Sequence, residues 1–318
     1  MMDFWLAAGV DGFRFDVINF LTIDGIGADN PQRAGEQEHL HDVNQPGLMA
    51  VLRRLMAYVR AKSDLFLIGE IGSEDLAVLR RYQGADLLDV VFNFNLGSQK
   101  TFNASAIFTA LTAMQAQQPG LPTLFFSSHD MSRMISRFGE NERDTDRARA
   151  VLALQLTARG VPFIYQGEEF GLTDFRPQRL EEIVDVQGRT YYQTALAAGT
   201  TADEALAIAL THSRDASRAP LPWGDKNALW NDYREMIALR SRIPALRHGQ
   251  YTSLTLTDAC IWFSRITADE QVWVAINFGA PVRNPWQDMA GEVLYGEDAP
   301  WLAKNQFVIK RSGYEKAQ

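Results

Sequence analysis

Up to about residue 249 the chain alternates two rhythms of apolar positions. Short, nearly continuous apolar runs stand at GFRFDVI (12–18), LFLIGEI (65–71), DVVFNF (89–94), TLFFSS (123–128) and VPFIYQG (161–167). Runs of this kind read as strands of a parallel sheet buried on both faces. Between them lie stretches with helical spacing. In GLMAVLRRLMAYVRAKSD the apolar positions Leu48, Val51, Leu52, Leu55, Met56 and Val59 share one face of a helix. RARAVLALQLTARG predicts a second helix stopped by Gly160, and NDYREMIALRSRIP a third halted before Pro244. Strands alternating with helices predict an α/β domain with a parallel sheet.

Past residue 249 the rhythm changes. YTSLTL, ACIWFSRI and QVWVAINFG are short β-type runs with turns between them, and no long helical pattern follows. The expected division is residues 1–248 for the α/β part and 249–318 for a small antiparallel β domain. Two stretches fit neither rhythm. Residues 21–47 form a polar excursion after the first run. Residues 172–227 hold the helical pattern TADEALAIALTH between polar loops. Long excursions after a strand tend to be functional.

Composition narrows the classes. The chain has 318 residues, 46% hydrophobic and 22% charged, as expected of an ordered globular protein with room for one large domain and a small one. A net charge of -8 argues against a general nucleic-acid binder. The one cysteine, Cys260, can form no internal disulfide and reads as a small buried residue near a strand. MMDFWLAAGV lacks the basic start and long apolar core of a signal peptide, and no stretch is long and apolar enough to span a bilayer. A cytoplasmic protein with no membrane partner is the expectation.

Polar groups gather where the apolar runs end. The first run carries Arg14 and Asp16 on one side of a strand, an ion pair in a segment that looks buried. Glu70 ends the second, His129 and Asp130 follow the fourth, and Gln166, Glu168 and Glu169 follow the fifth. In a parallel α/β barrel that end is where active sites are built. Taken singly, each group has a structural reading: an ion pair, a helix-start charge, or loop-ordering glutamates. Together, three carboxylates from three strand ends suit glycoside hydrolysis, in which one acts as nucleophile and another as proton donor. An adjacent Arg keeps a nucleophile ionised, and a drier carboxyl can serve as the acid.

In this order the motifs resemble the α-amylase superfamily, glycoside hydrolase family 13, and within it the bacterial α-glucosidase and oligo-1,6-glucosidase branch. GFRFDVI resembles the nucleophile motif, which implies Asp16 as nucleophile and Arg14 as its partner. LIGEI resembles the acid/base motif, giving Glu70. FFSSHDMSR resembles the third motif, giving the transition-state stabiliser Asp130, with His129 and Arg133 as substrate contacts. VPFIYQGEEFG is similar to the family's segment after the last barrel strand. SRDASRAPLPWGDKNA resembles the branch's Arg-Thr-Pro-Met-Gln-Trp region, making Arg218 a substrate contact. Val17, directly after the nucleophile, resembles the enzymes that prefer α-1,6 over α-1,4 bonds. The implied reaction is retaining hydrolysis of terminal α-glucosidic bonds in short oligosaccharides. Its two carboxyls are expected roughly 5–5.5 Å apart.

The third motif departs from the usual Asn-His-Asp-Gln-Pro-Arg, and Ala219, Leu221 and Pro222 replace the Thr, Met and Gln before Trp223. The resemblance implies a partial (β/α)8 barrel, strands four to eight, with DFWLAAGV ending the helix before strand four. A barrel of this kind takes eight strand–helix units, and five runs precede the β tail. The expectation is therefore an N-terminally truncated fragment, inactive alone and open at its strand edges. No cofactor or metal is implied, since the calcium ligands of some members lie partly in the part without a counterpart here. A glucosyltransferase, a trehalose-phosphate hydrolase or a non-catalytic carbohydrate-binding or assembly protein of the family are the other readings. A phosphate-binding α/β protein is disfavoured by the lack of a Gly-rich loop.

Overall fold

The computed structural model describes residues 1–33, 36–117, 120–141, 144–222, 224 and 226–312. The chain forms two compact units, Met1–Asn95 with Leu111–Thr123, and Leu96–Ala110 with Leu124–Gln318.

In the first unit the strands Gly12–Phe15, Phe66–Gly69 and Val90–Val91 form a parallel sheet in that order, with Arg14 opposite Ile68 and Ile68 opposite Val90. Helix Leu48–Arg60 connects the first two and buries Leu48, Leu52, Met56 and Val59, while Val51 stays exposed. Its basic last turn is tied down: Arg60 Nη2 donates to Asp89 Oδ1 and to the Leu87 carbonyl, both at 2.9 Å. Asp89 Oδ2 in turn accepts from the Leu67 N–H at 2.7 Å, so one carboxylate links a helix end to the sheet. Thr123 continues the ladder with its side chain, donating to the Val91 carbonyl at 3.1 Å and accepting from the Asn93 N–H at 2.8 Å.

The apolar runs are longer than the strands they form. Only two residues of DVVFNF and two of VPFIYQG are in strand geometry. Nor is the first strand buried on both faces as its apolar character suggests: among the described residues it has one ladder neighbour, and its residues are half-buried or exposed. A strand with a ladder on one flank shields only that flank.

In the second unit the N–H of Phe163 donates to the Leu124 carbonyl at 2.8 Å, and the Gln155 amide bridges both carbonyls at 3.2 and 2.7 Å. Helix Thr145–Thr157, capped by Asp144, is buried almost all round from Arg147 onward. It stops at Thr157, where Ala158 turns extended, three residues before Gly160. Helix Ala228–Arg242 starts at the Asn227 cap and ends before Pro244, which opens the short helix Pro244–His248. Within the 172–227 excursion, helix Val186–Ala197 packs on helix Ala202–His212, whose Thr201 and Glu204 form a capping box.

From Gln250 onward the structure is antiparallel. Five strands run in the order Gly291–Gly296, Phe307–Ser312, Gln271–Asn277, Cys260–Ile266, Gln250–Thr257. A two-stranded pair, Val282–Arg283 with Trp301–Leu302, covers one face through Leu302 and Val282, closing a core with Cys260, Ala275 and Val308. Burial pushes the Cys260 thiol up to about 12. Arg265 is fully buried on strand Cys260–Ile266 and donates to the carbonyls of Thr157, Ala158, Leu246 and Gly249. Thr157 and Ala158 end helix Thr145–Thr157, and Leu246 and Gly249 lie at the C-terminal end of helix Pro244–His248, so a cation sits where helix C-termini present negative potential.

Candidate active site

The parallel register builds the first cluster. The Glu70 N–H donates to the Phe15 carbonyl at 2.8 Å, and the Ile18 N–H donates to the Glu70 carbonyl at 3.0 Å. Asp16 and Glu70 thus leave the same end of adjacent strands. Arg14 Nη2 lies 3.0 Å from Asp16 Oδ1 and also bonds Glu70 Oε2. One guanidinium nitrogen therefore touches both carboxylates. The Arg14 guanidinium stands over the Phe92 ring, 5.5 Å from its centre, at the end of the third strand. The two carboxylates differ in setting: the Asp16 side chain is 71% exposed and that of Glu70 16%. The ion pair read from the sequence exists, but at a strand end open to solvent.

Between them the chain makes a forced turn. Val17 sits at φ 36°, ψ 47°, a left-handed conformation that a β-branched residue rarely adopts. That turn lets the next N–H, of Ile18, reach the Glu70 carbonyl. Strained backbone of this kind is found where a site over-determines its geometry.

The second cluster centres on Asp130. Arg218 Nη2 lies 2.6 Å from Asp130 Oδ1, His129 Nε2 3.0 Å from Oδ2, and Arg214 Nη1 3.3 Å from Oδ1. Arg218 Nε donates to the His129 carbonyl at 2.6 Å, so one arginine fixes both residues of the pair. The Asp130 N–H donates to Ser128 Oγ at 3.1 Å, setting the turn.

Arg133, expected as a substrate contact, has its guanidinium engaged by backbone carbonyls. It is buried; Nη1 donates to the Gln166 carbonyl at 2.8 Å and Nη2 to the Ser217 carbonyl at 3.0 Å. Its guanidinium covers the Tyr165 ring at 5.0 Å. Its guanidinium ties the Tyr165–Gln166 segment to Ser217 of the short helix Asp215–Arg218 instead of facing solvent. Behind it, Glu168 is buried with Oε1 lacking a hydrogen-bond partner, and burial pushes its carboxyl up to about 7.

Arg14, Asp16 and Glu70 are thus brought together, with Val17 beside them, and His129, Asp130 and Arg218 form the other group. Trp223 lies outside the described residues. Sequence reasoning missed Phe92 and Arg214; the latter stands inside the quoted SRDASR stretch but carries no local signal of its contact with Asp130. Among the described residues no group of three or more His, Cys, Asp and Glu side chains could hold a metal ion.

Residues 1–249 match the family described as alpha amylase, catalytic domain. The chain belongs to this family. It is 27% identical over 329 residues to an oligo-1,6-glucosidase of Halalkalibacterium halodurans, covering 87% of this chain and 58% of the relative. It is 28% identical over 343 residues to the trehalose-6-phosphate hydrolase of Escherichia coli, covering 90% and 59%. The solved trehalose-6-phosphate hydrolase of Bacillus licheniformis matches with a TM-score of 0.79 at 25% identity, over 98% of this chain and 66% of that one. The isomaltulose synthase of Klebsiella sp. LX3 gives 0.82 at 26%, over 98% and 66%. This alpha-amylase family chain therefore has the family's fold, a TIM-barrel architecture with a β domain. It spans under three fifths of the length of these two curated relatives. Among the described residues no helix is long and apolar enough to cross a membrane.

Proposed function

We propose that these residues are the machinery of a retaining α-glucosidase acting on terminal α-glucosidic bonds of short oligosaccharides, with α-1,6 preferred over α-1,4. The observation that carries the reading is the single Arg14 nitrogen shared by Asp16 and Glu70. A nitrogen in hydrogen-bond reach of both keeps the nearest carboxylate oxygens within about 6 Å, two hydrogen-bond lengths. This favours the retaining separation of roughly 5–5.5 Å over the wider inverting one. Asp16 attacks the anomeric carbon while the less exposed Glu70 gives its proton to the departing glycosidic oxygen. A covalent glucosyl-Asp16 ester forms. Glu70, now a carboxylate, takes a proton from water as that water attacks the same carbon, and Asp16 leaves as carboxylate. Asp130, His129 and Arg218 are assigned, from the motif and their mutual contacts, to the sugar hydroxyls and the oxocarbenium-like state. Arg133 is given a bracing role.

We further infer that the five parallel-type runs correspond to strands four to eight of the (β/α)8 barrel, residues 1–248, followed by the all-β domain 249–318. The family match to residue 249 and the strand starting at Gln250 support this division.

The test is glucose release from isomaltose and maltose by the purified chain, with Asp16→Asn beside it. Release that is faster from isomaltose, gives the α-anomer first and vanishes in the Asn variant would support the reading. Release that survives in the variant would overturn the role of Asp16. No release from either would agree with the expectation that this chain is inactive alone. Turnover confined to trehalose 6-phosphate would move the substrate reading toward the relatives that carry that name.

A further inference from the structure

Among the described residues, Arg214 is the cation on Asp130 that a second carboxylate also holds. Asp185 takes it side-on: Arg214 Nε lies 3.0 Å from Asp185 Oδ2 and Nη2 3.2 Å from Oδ1. The Arg214 backbone N–H adds a third bond to Oδ2 at 2.9 Å. A guanidinium held along its Nε–Nη2 edge has its orientation fixed in the plane of the fork. The nitrogen left over, Nη1, is the one that faces Asp130 Oδ1.

Asp185 is itself immobilised. Its side chain is 4% exposed and caps helix Val186–Ala197 through the Gln187 N–H. Its own N–H donates to both oxygens of Asp215, which also accept from the Val184 N–H and Ser213 Oγ. So residue 185 holds 214 and residue 215 holds 185, a crossed clamp where the helical excursion leaves and rejoins the chain. The Arg214 hydrogen bond keeps the Asp185 carboxyl well below the usual carboxylate range. The clamp therefore stays charged at any working pH.

We propose that Asp185 is a positioning residue that sets the Asp130 carboxylate through Arg214, so that the stem of the 186–212 helical excursion fixes the group assigned to the transition state. The inference rests on the role given to Asp130 above. Two labelling rates test the clamp without turnover. Phenylglyoxal modification of Arg214, followed by peptide mass spectrometry, is expected to rise at least tenfold in Asp185→Asn, with buried Arg133 unmodified as the control for loosening. Carbodiimide coupling of glycinamide to Asp130 should rise in the same variant. In the turnover assay, kcat on isomaltose should fall ten- to hundredfold with KM within about twofold, the range typical of residues that orient a reacting group from behind. Asp185→Glu, which keeps the charge on a longer stem, should recover part of the loss. Unchanged labelling of Arg214 or Asp130 overturns the inference whatever turnover does, and so does freed labelling with unchanged kcat. A parent chain without turnover matches the expectation that this chain is inactive alone, and the labelling rates then decide the positioning.

Discussion

Val17 shows how much one residue carries. Its left-handed backbone costs on the order of 1–3 kcal/mol for a β-branched side chain. Glycine removes that strain but gives back roughly 1 kcal/mol of unfolded-chain entropy. Val17→Gly is therefore expected to stabilise the protein by about 1 kcal/mol, read as a higher denaturant midpoint, while lowering the isomaltose-to-maltose ratio that the side chain is assigned to set. A destabilised variant would mean the turn is not strained. Glu168 gives a pH signature. Burial raises its carboxyl from 4.5 to about 7, so between those values the folded state keeps a proton that the unfolded state has lost. Stability then falls as pH rises through that window, by about 1.4 kcal/mol per unit and roughly 3 kcal/mol in all, and is flat above it. Glu168→Gln stays neutral and keeps the shape. Its advantage over the parent in chemical denaturation should grow from pH 4.5 to 7 and then hold; parallel curves would show that Glu168 ionises freely when folded.

Between elements, the buried Arg265 is the tie that the apolar pattern could not announce. It reads as an ordinary position in ACIWFSRI, yet it satisfies the carbonyls of Thr157, Ala158, Leu246 and Gly249. Arg265→Met should destabilise by about 3 kcal/mol or more, since several buried carbonyls lose a charged donor at once; a thermal shift of a degree or less would contradict that. The same contrast runs through the fold. The first three apolar runs marked where the parallel ladder of the first unit lies, because burial of a strand writes itself into composition. Strand length was not legible, because it depends on how many neighbours a strand pairs with. Helix Ala104–Gln117 went unread although Ala104, Ile107, Leu111 and Met114 are buried at helical spacing, because the Ala and Thr between them blur the stripe. Helix Val186–Ala197 buries only Gly188 and Ala195, and a Cβ on Gly188 would meet that of Ser213 at 2.8 Å. Such packing on small residues leaves no hydrophobic signature. At the site, Arg14, Asp16 and Glu70 were legible from strand-end placement and motif. The burial of Arg133 and the hold of Asp185 on Arg214 were not, because both depend on contacts made by loops far apart in sequence.

For the molecule as a whole, solubility sets two opposing terms. Helix Met2–Ala7 buries none of its residues, leaving Phe4 69% and Trp5 48% exposed, and strand Gly12–Phe15 has one flank without a ladder partner among the described residues. Ile23, Ile26, Leu40 and Phe66 are further large apolar side chains exposed on the same unit. Exposed apolar surface and an unpaired edge both favour self-association. Against them stands the net charge of -8, whose repulsion acts between whole molecules and is screened over about 10 Å at 0.1 M salt, less at higher salt. The balance should therefore tip with ionic strength. Sedimentation velocity is expected to show monomer in dilute buffer and a rising share of larger species as salt increases. Phe4→Ser with Trp5→Ser should shift that onset to higher salt, because it removes attraction and leaves the charge unchanged. Monomer at every salt and concentration would mean that these side chains are covered in solution, and association that falls with salt would mean that charge, not apolar surface, drives it.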